Sequence, residues 1–220
     1  MRLRFLNKKH ETGDIWSFIF DPIEDISWEA GQSIRLELPR PTWGISERRF
    51  TIASAPHEKH VQITTRMSPS EFKSLLNDLE PGQEIQAHNI EGDFTWKGIN
   101  GPTLFIAGGI GITPFRALVL DAAKQKTLKD SVLLHRGTDN PALFASEFDQ
   151  ISKKTEEFSY RQLEKRVTEH NLQQIVADWQ KRTVFISGST AMVQEVRKLL
   201  IRGGLPENRL KHDIFTGNIS

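Results

Sequence analysis

The sequence predicts two unlike halves, a small antiparallel β-barrel or sandwich followed by a parallel α/β domain. Residues 1–98 hold short runs rich in Ile, Phe, Trp and Thr, broken at close spacing by Pro22, Gly31, Pro39, Pro41, Gly44 and Pro56. That is the texture of strands joined by turns. From residue 102 onward, compact apolar runs alternate with segments of helical period, the pattern of a parallel sheet covered on both faces. The change falls at Gly98–Gly101, so the domains are expected at 1–98 and 102–220.

In the first half, strands are expected at Asp14–Phe20, Gln32–Leu38, Arg49–Ser54 and His60–Met67. After Pro69, Phe72, Leu75, Leu76 and Leu79 recur at i, i+3, i+4 and i+7 until Pro81-Gly82. This spacing predicts one helix with a single apolar face. Strands resume at Glu84–Ile90 and Asp93–Trp96. In the second half, strands are expected at Thr103–Ala107, Ser131–His135, near Phe158 and at Thr183–Ser187. Helices are expected through Phe115, Leu118, Val119 and Ala122, through Leu143, Phe144, Phe148 and Ile151, around Leu172–Trp179, and through Met192, Val196, Leu199 and Leu200.

Composition narrows the function. The chain has 220 residues, with 29 Lys and Arg against 28 Asp and Glu, for a formal net charge of +1. A nucleic-acid partner is not expected, because phosphate contact usually draws on a cationic surplus. No apolar run approaches the ~18 residues of a membrane span, and no signal-peptide core follows the charged start. A cytoplasmic protein without an integral membrane segment is therefore expected. The absence of cysteine excludes disulfides, a thiolate nucleophile and Cys-held zinc or iron–sulfur centres. Redox chemistry would have to ride on a bound organic cofactor or a partner. His57 and His60 are the only close histidine pair, no HExxH or nucleophile-elbow pattern occurs, and no metal site is expected.

Three segments carry chemical signal. Ala107-Gly108-Gly109-Ile110-Gly111-Ile112-Thr113-Pro114 follows a buried strand and opens a helix. Glycines there admit a pyrophosphate to the backbone, and the helix N-terminus offers free N–H groups and partial positive charge. Thr113 suits the N-cap and Pro114 the first helical position. Arg48-Arg49-Phe50-Thr51 in the first half combines diphosphate-clamping arginines with an aromatic and a hydroxyl able to flank and hydrogen-bond a planar ring. Phe185-Ile186-Ser187-Gly188-Ser189 is a second small-residue turn at the carboxyl end of a parallel strand, where open α/β sheets bind ligands. Each segment alone also has a bland reading: a strand–helix turn with no ligand, an edge strand with solvated arginines, and an ordinary connection, respectively.

Taken in order, they resemble the ferredoxin–NADP reductase superfamily. The flavin motif Arg-x-Tyr/Phe-Ser/Thr is similar to Arg48-x-Phe50-Thr51, and the nicotinamide motif Gly-Gly-x-Gly-Ile-Thr-Pro is complete from Gly108 to Pro114. Ser187-Gly188-Ser189 with Met192 resembles the family's Cys-Gly-Pro…Met turn. Lys211-His212-Asp213-Ile214-Phe215-Thr216-Gly217 resembles its acidic-x-Phe terminus.

The resemblance implies a flavin-binding barrel, then a nicotinamide-binding α/β domain, with FAD rather than FMN and with NADH or NADPH as co-substrate. By the same resemblance, Arg48 meets the flavin phosphate, Phe50 packs beside the isoalloxazine and Thr51 hydrogen-bonds near N5. Ile63 and Thr65 line the flavin and its ribityl chain, and Ser70 marks the helix start that holds the FAD pyrophosphate. Gly108, Gly109, Gly111, Ile112, Thr113 and Pro114 form the nicotinamide turn, with Thr113 touching the flavin. Ser187, Gly188 and Met192 lie near the nicotinamide, and Phe215 covers the flavin's other face. The catalytic positions implied are Thr51, Ser187 and Phe215.

The sequence departs from the family at Phe50 for Tyr, Ser187 for Cys, Ser189 for Pro, and Met67-Ser68-Pro69-Ser70 for a glycine pair plus Ser. His135-Arg136-Gly137 leaves the nucleotide-phosphate register open, and with it NADH or NADPH. The expected function is hydride transfer from NAD(P)H to FAD and onward electron transfer to ferredoxin, flavodoxin, free flavin, a quinone or a ferric chelate. The rivals are an electron-transfer or docking subunit of a larger redox complex, and a binding module without flavin.

Overall fold

In the computed structural model, described over residues 1–215, the first half is one antiparallel sheet. Its strands are β1 (Arg2–Thr12), β2 (Ile15–Pro22), β3 (Ser33–Pro39), β4 (Ile45–Thr51), β5 (Val61–Arg66) and β6 (Glu84–Glu91), in the order β4-β3-β6-β1-β2-β5. The sheet curls until its edges meet: just beyond β4, the Ala53 N–H donates to the Gln62 carbonyl on β5 at 2.8 Å. This gives a barrel rather than a sandwich, closed around Leu3, Phe5, Phe18, Phe20, Ile34 and Ile63. Helix α1 (Glu71–Asn77) lays Phe72 and Leu76 against that core.

Three sequence expectations shift. β1 is absent from the sequence reading because its inward alternation stops after Leu3 and Phe5 and gives way to Lys8, Lys9 and His10. Pairing with β2, from Leu3 opposite Pro22 to Thr12 opposite Ile15, forms the strand instead. The strand expected at Arg49–Ser54 lies at Ile45–Thr51, since Ile52 and Ala53 turn off to bond Gln32 and Gln62. Asp93–Trp96 is not a strand. Phe94 is drawn into the second domain, its ring 5.7 Å from Phe115 and 5.2 Å from Phe185.

The second half is an all-parallel sheet of β7 (Thr103–Gly108), β8 (Ser131–Arg136), β9 (Phe158–Gln162), β10 (Thr183–Ser189) and β11 (Leu210–Phe215), in the order β11-β10-β7-β8-β9. Helices α2 (Thr113–Gln125), α3 (Ala145–Lys154), α4 (Glu169–Ile175) and α5 (Thr190–Arg202) cover it. Successive residues of β7 feed opposite cores: Phe105 and Ala107 pack with α2, while Leu104 and Ile106 pack with α4 and α5. The expected Leu172–Trp179 helix is split, because α4 ends at Ile175 and Trp179 opens a 3-10 turn. The chain steps from β7 outward to β8 and β9, then returns to β10 on the other side of β7. That reversal makes the carboxyl ends of β7 and β10 a topological switch point, where such sheets bind ligands. Among the described residues no helix is long and apolar enough to cross a membrane.

One buried cation joins the halves. Arg116 on α2 is 7% exposed and donates to the Ala53 carbonyl at 3.0 Å and to Glu58 at 2.8 and 3.0 Å. Its Nη2 also lies 2.9 Å from Glu147 on α3. Burial raises the Glu58 carboxyl pKa, but hydrogen bonds and charge from Arg116 outweigh it and hold the group below its ordinary 4.5. Stability from this pair is therefore present above the ordinary carboxylate range and is lost as pH falls through the lower folded value. Arg116→Met should cost about 3 kcal/mol by stranding two carboxylates. Denaturant unfolding should also show a flatter stability profile between about pH 5 and pH 3 than in the parent. An unchanged profile would contradict the assignment.

Candidate functional site

Between the barrel and the carboxyl edge of the parallel sheet lies a cleft of about 1560 Å³. The barrel contributes β4, the end of β5 and the start of α1; the α/β domain contributes the turn after β7, the start of α5 and the end of β11. Seven Arg or Lys side chains and three Glu side chains line it. The lining is thus cationic, although the chain's formal charge is only +1.

Strand period 2 sets the barrel wall. Arg48 and Phe50 share a face of β4, and both meet Phe72 of α1: the Phe50 ring at 5.5 Å and the Arg48 guanidinium at 5.7 Å. Ion pairs join Arg35 to Glu47, Arg40 to Glu71, Arg49 to Glu91, and Arg66 to Asp14 and Asp139. Arg48 and Lys73 have no such carboxylate among the described residues. Burial lowers the pKa of Arg48, and burial followed by the nearby Arg48 charge lowers that of Lys73. The Lys73 Nζ donates to the Arg66 carbonyl at 2.7 Å and the Ser68 hydroxyl at 2.9 Å. Ser70 caps α1, its Oγ accepting from the Lys73 amide at 3.3 Å. Across the cleft, the Arg136 Nε is buried without a partner. Unpaired cations around a cleft suit an anion carrying several charges.

The opposite wall is shaped by close backbone approach. Gly109 takes φ +53 in the 3-10 turn Gly109–Ile112 between β7 and α2, a conformation that favours glycine. A Cβ on Gly111 would stand 2.5 Å from the Ser187 carbonyl carbon and 2.6 Å from the Gly188 nitrogen, so only glycine lets this turn rest on β10. Met192 closes over both small-residue turns, its Sδ 3.2 Å from a Cβ placed at Gly108 and 3.0 Å from one placed at Gly188. Thr113 is not the N-cap. It is the first residue of α2, and its hydroxyl donates to the Ile110 carbonyl at 3.1 Å while Ile112 holds the cap position.

The structure brings Arg48, Phe50, Thr51, Thr65, Ser70, Gly108, Gly109, Thr113, Met192 and Phe215 to the cleft. It leaves others behind the lining. Ile63 lies in the barrel core and Ile112 in that of the α/β domain, and Pro114 is buried in the first turn of α2. Gly111 and Gly188 are buried against each other's segments. Ser187 is 0% exposed and its Oγ has no partner, because the Gly111 turn covers it. Thr216 and Gly217 lie outside the described residues. Lys73 and Arg166 escaped the sequence reading, because each looks like an ordinary surface cation until the fold brings it to the cleft. Away from the cleft, Glu37, Glu47 and His88 converge, with His88 3.0 Å from Glu37 and Arg35 holding Glu47 at 2.7 Å.

The fold and cleft together define a two-domain protein with a cationic cleft at its domain seam. Residues 105–198 match the family of the oxidoreductase NAD-binding domain. A relative from Pyrococcus horikoshii, named "Probable dihydroorotate dehydrogenase B (NAD(+)), electron transfer subunit", is 34% identical over 151 residues, covering 67% of this chain and 54% of that protein. The ferredoxin reductase component of 3-ketosteroid-9-alpha-monooxygenase from Rhodococcus rhodochrous is 24% identical over 217 residues, covering 93% of this chain and 62% of that protein. The chain thus spans little more than half the length of these curated relatives. The crystal structure of a ferredoxin NADP+ reductase from Neisseria gonorrhoeae with bound FAD and NADP superposes with a TM-score of 0.81 at 16% identity, covering 97% of this chain and 98% of that one; that likeness is one of fold. Along most of its length the chain is thus similar to members of the ferredoxin–NADP reductase superfamily.

Gly111→Ala should force the turn away from β10 and destabilise the protein by about 1–3 kcal/mol. Thermal unfolding checks this, and a melting temperature equal to the parent's would show that the turn can yield.

Proposed function

We propose that this chain is an FAD-dependent NAD(P)H reductase that takes electrons from NADH or NADPH and passes them to a separate acceptor. One observation carries the reading: the Arg48-x-Phe50-Thr51 strand and the Gly108–Pro114 turn face a single cleft at the switch point of the parallel sheet. The residues present fit a dinucleotide flavin. Arg48 and Lys73 lack carboxylate partners, Arg136 Nε is an orphaned donor, and the cleft volume of about 1560 Å³ exceeds the roughly 300–1,000 Å³ of a single small-ligand site. The FAD and NADP held by the Neisseria gonorrhoeae structure support the same pair of ligands.

When bound, the flavin supplies hydride acceptance and onward release of electrons. The chain's own residues place it. Arg48 and the Ser70 turn hold the diphosphate, with Lys73 adding charge from behind. Phe50, braced by Phe72, offers a ring face to the isoalloxazine, and the Thr51 hydroxyl sits where the ring edge would be held near N5. Thr65 contributes from β5, and Ile63, its side chain in the core, from the backbone only. The Gly108–Thr113 turn and the start of α2 receive the nicotinamide nucleotide. Ser187 and Gly188 act by supporting Gly111, and Phe215 closes the cleft from the end of β11. The acceptor belongs to the class of ferredoxin, flavodoxin, free flavin, quinone or ferric chelate, and the site of action is the cytoplasm.

A second reading, an electron-transfer subunit with little turnover alone, is favoured by Trp43 and Ile45, which are 89% and 54% exposed. Ile45 lines the cleft, so this apolar tip stands at its mouth. Steady NAD(P)H oxidation with small acceptors alone would support the enzyme; a flavin reduced by nucleotide but idle with every small acceptor would support the subunit.

Purified protein loaded with FAD should absorb near ~450 nm and bleach anaerobically with NADH or NADPH. A protein that takes up no flavin ends the reading. Arg48→Ala should weaken FAD binding roughly 10- to 100-fold, the range of a hydrogen bond to a charged group, as read by flavin retention on dilution.

A further inference from the structure

Beneath the glycine turn runs a hydrogen-bond chain that this reading does not use. His135 on β8 is 1% exposed. Its Nε2 lies 3.1 Å from the Gly109 carbonyl oxygen, and its Nδ1 lies 3.3 Å from the hydroxyl of Tyr160 on β9. The protons are assigned by chemistry. A carbonyl only accepts, so Nε2 carries hydrogen; Nδ1 of the neutral ring then accepts, and the Tyr160 hydroxyl donates. Burial favours this state at both ends. It holds the imidazole below its ordinary 6.5 against the opposing pull of Gly109 and Asp139, and with the Asp149 charge it pushes the phenol up to about 12. Gly137 leaves space beside the ring, since a Cβ there would stand 3.3 Å from Nε2.

We propose that Tyr160 and His135 are positioning residues that orient the Gly109–Ile110 peptide for the nicotinamide nucleotide. In a planar trans peptide the C=O and N–H point in opposite directions. Drawing the Gly109 carbonyl toward β8 therefore turns the Ile110 N–H away from β8, and Gly109 and Ile110 both line the cleft. The cleft is offered a donor where a flipped peptide would offer an acceptor. Glycine at φ +53 has the freedom to take either orientation, so the relay decides between them. A diphosphate accepts hydrogen bonds and is repelled by a carbonyl, so the orientation sets nucleotide affinity. The inference rests on the reading of this cleft as a nicotinamide-nucleotide site.

Tyr160→Phe, His135→Ala and His135→Gln test it, the last keeping an N–H donor at the end of the side chain. Titration of FAD-loaded protein with NADH and NADPH should show affinity for the bound nucleotide lowered about fivefold in Tyr160→Phe and by about fivefold or more in His135→Ala. His135→Gln should recover most of the loss. The steady-state effect should fall on KM rather than kcat, with FAD content as in the parent. A second readout needs no nucleotide: amide hydrogen exchange over residues 109–112 should quicken in Tyr160→Phe and His135→Ala while the barrel keeps its protection. Affinities within twofold of the parent in both variants, a His135→Gln protein as weak as His135→Ala, or unchanged exchange in the turn would each overturn the relay. If His135→Ala fails to fold, Tyr160→Phe decides alone. A parent protein that binds neither nucleotide would refute the functional reading, while the exchange measurement would still judge the relay.

Discussion

The guanidinium of Arg116, buried at the seam of two domains, is the constraint on which the cleft depends. Its fork reaches Glu58 and the Ala53 carbonyl on the barrel side and Glu147 within the α/β domain. Glu58 in turn accepts from the Ala55 amide at 2.7 Å, so the loop leaving β4 is tied to the helix that follows the glycine turn. A lone buried charge is costly, and so is each carboxylate it neutralises. The arrangement is tolerable only with all partners in register, which fixes how β4 and the Gly108–Thr113 turn face each other. Arg66 with Asp139, at 3.1 Å, and Lys211 with the Thr95 carbonyl, at 3.0 Å, cross the same seam.

The cleft's chemistry follows from what is left unpaired. Most barrel arginines are neutralised on the surface, where exposed pairs contribute little to stability. Arg48 and Lys73 are instead held close together and partly desolvated, a repulsive arrangement that a multiply charged anion would relieve. The other wall uses no charge at its centre. It uses Gly109 at positive φ and the absence of a side chain at Gly111, which brings the turn before α2 close to β10 beside the cleft. Charge on one side and bare backbone on the other give a long ligand two distinct ends.

Much of this was legible in the residues themselves. The glycine turn, the Arg48–Thr51 strand and the change of texture near residue 100 are local signals, and each reports local backbone chemistry. Three things were not legible. β1 is stabilised by partners distant in sequence, so its charged residues mask it. Ser187 reads as an active-site position from its place at a strand end, yet the approach of Gly111 buries it completely. Lys73 looks like an ordinary helix lysine until α1 packs on the barrel beside Arg48.

Periodicity and glycine placement act over a few residues, so the residues alone gave the two-domain class, the order of strands and helices from β7 to α5, and the two motifs that face each other; β11 (Leu210–Phe215) was not among the expected strands. Tertiary structure alone decided that the barrel closes, that Arg116 locks the seam, which motif residues reach the cleft, and that Tyr160 and His135 bear on Gly109. The Arg116 and His135 contacts alone join residues 25 to 63 positions apart in the chain. Such contacts exist only once long-range packing has paired the strands that carry them.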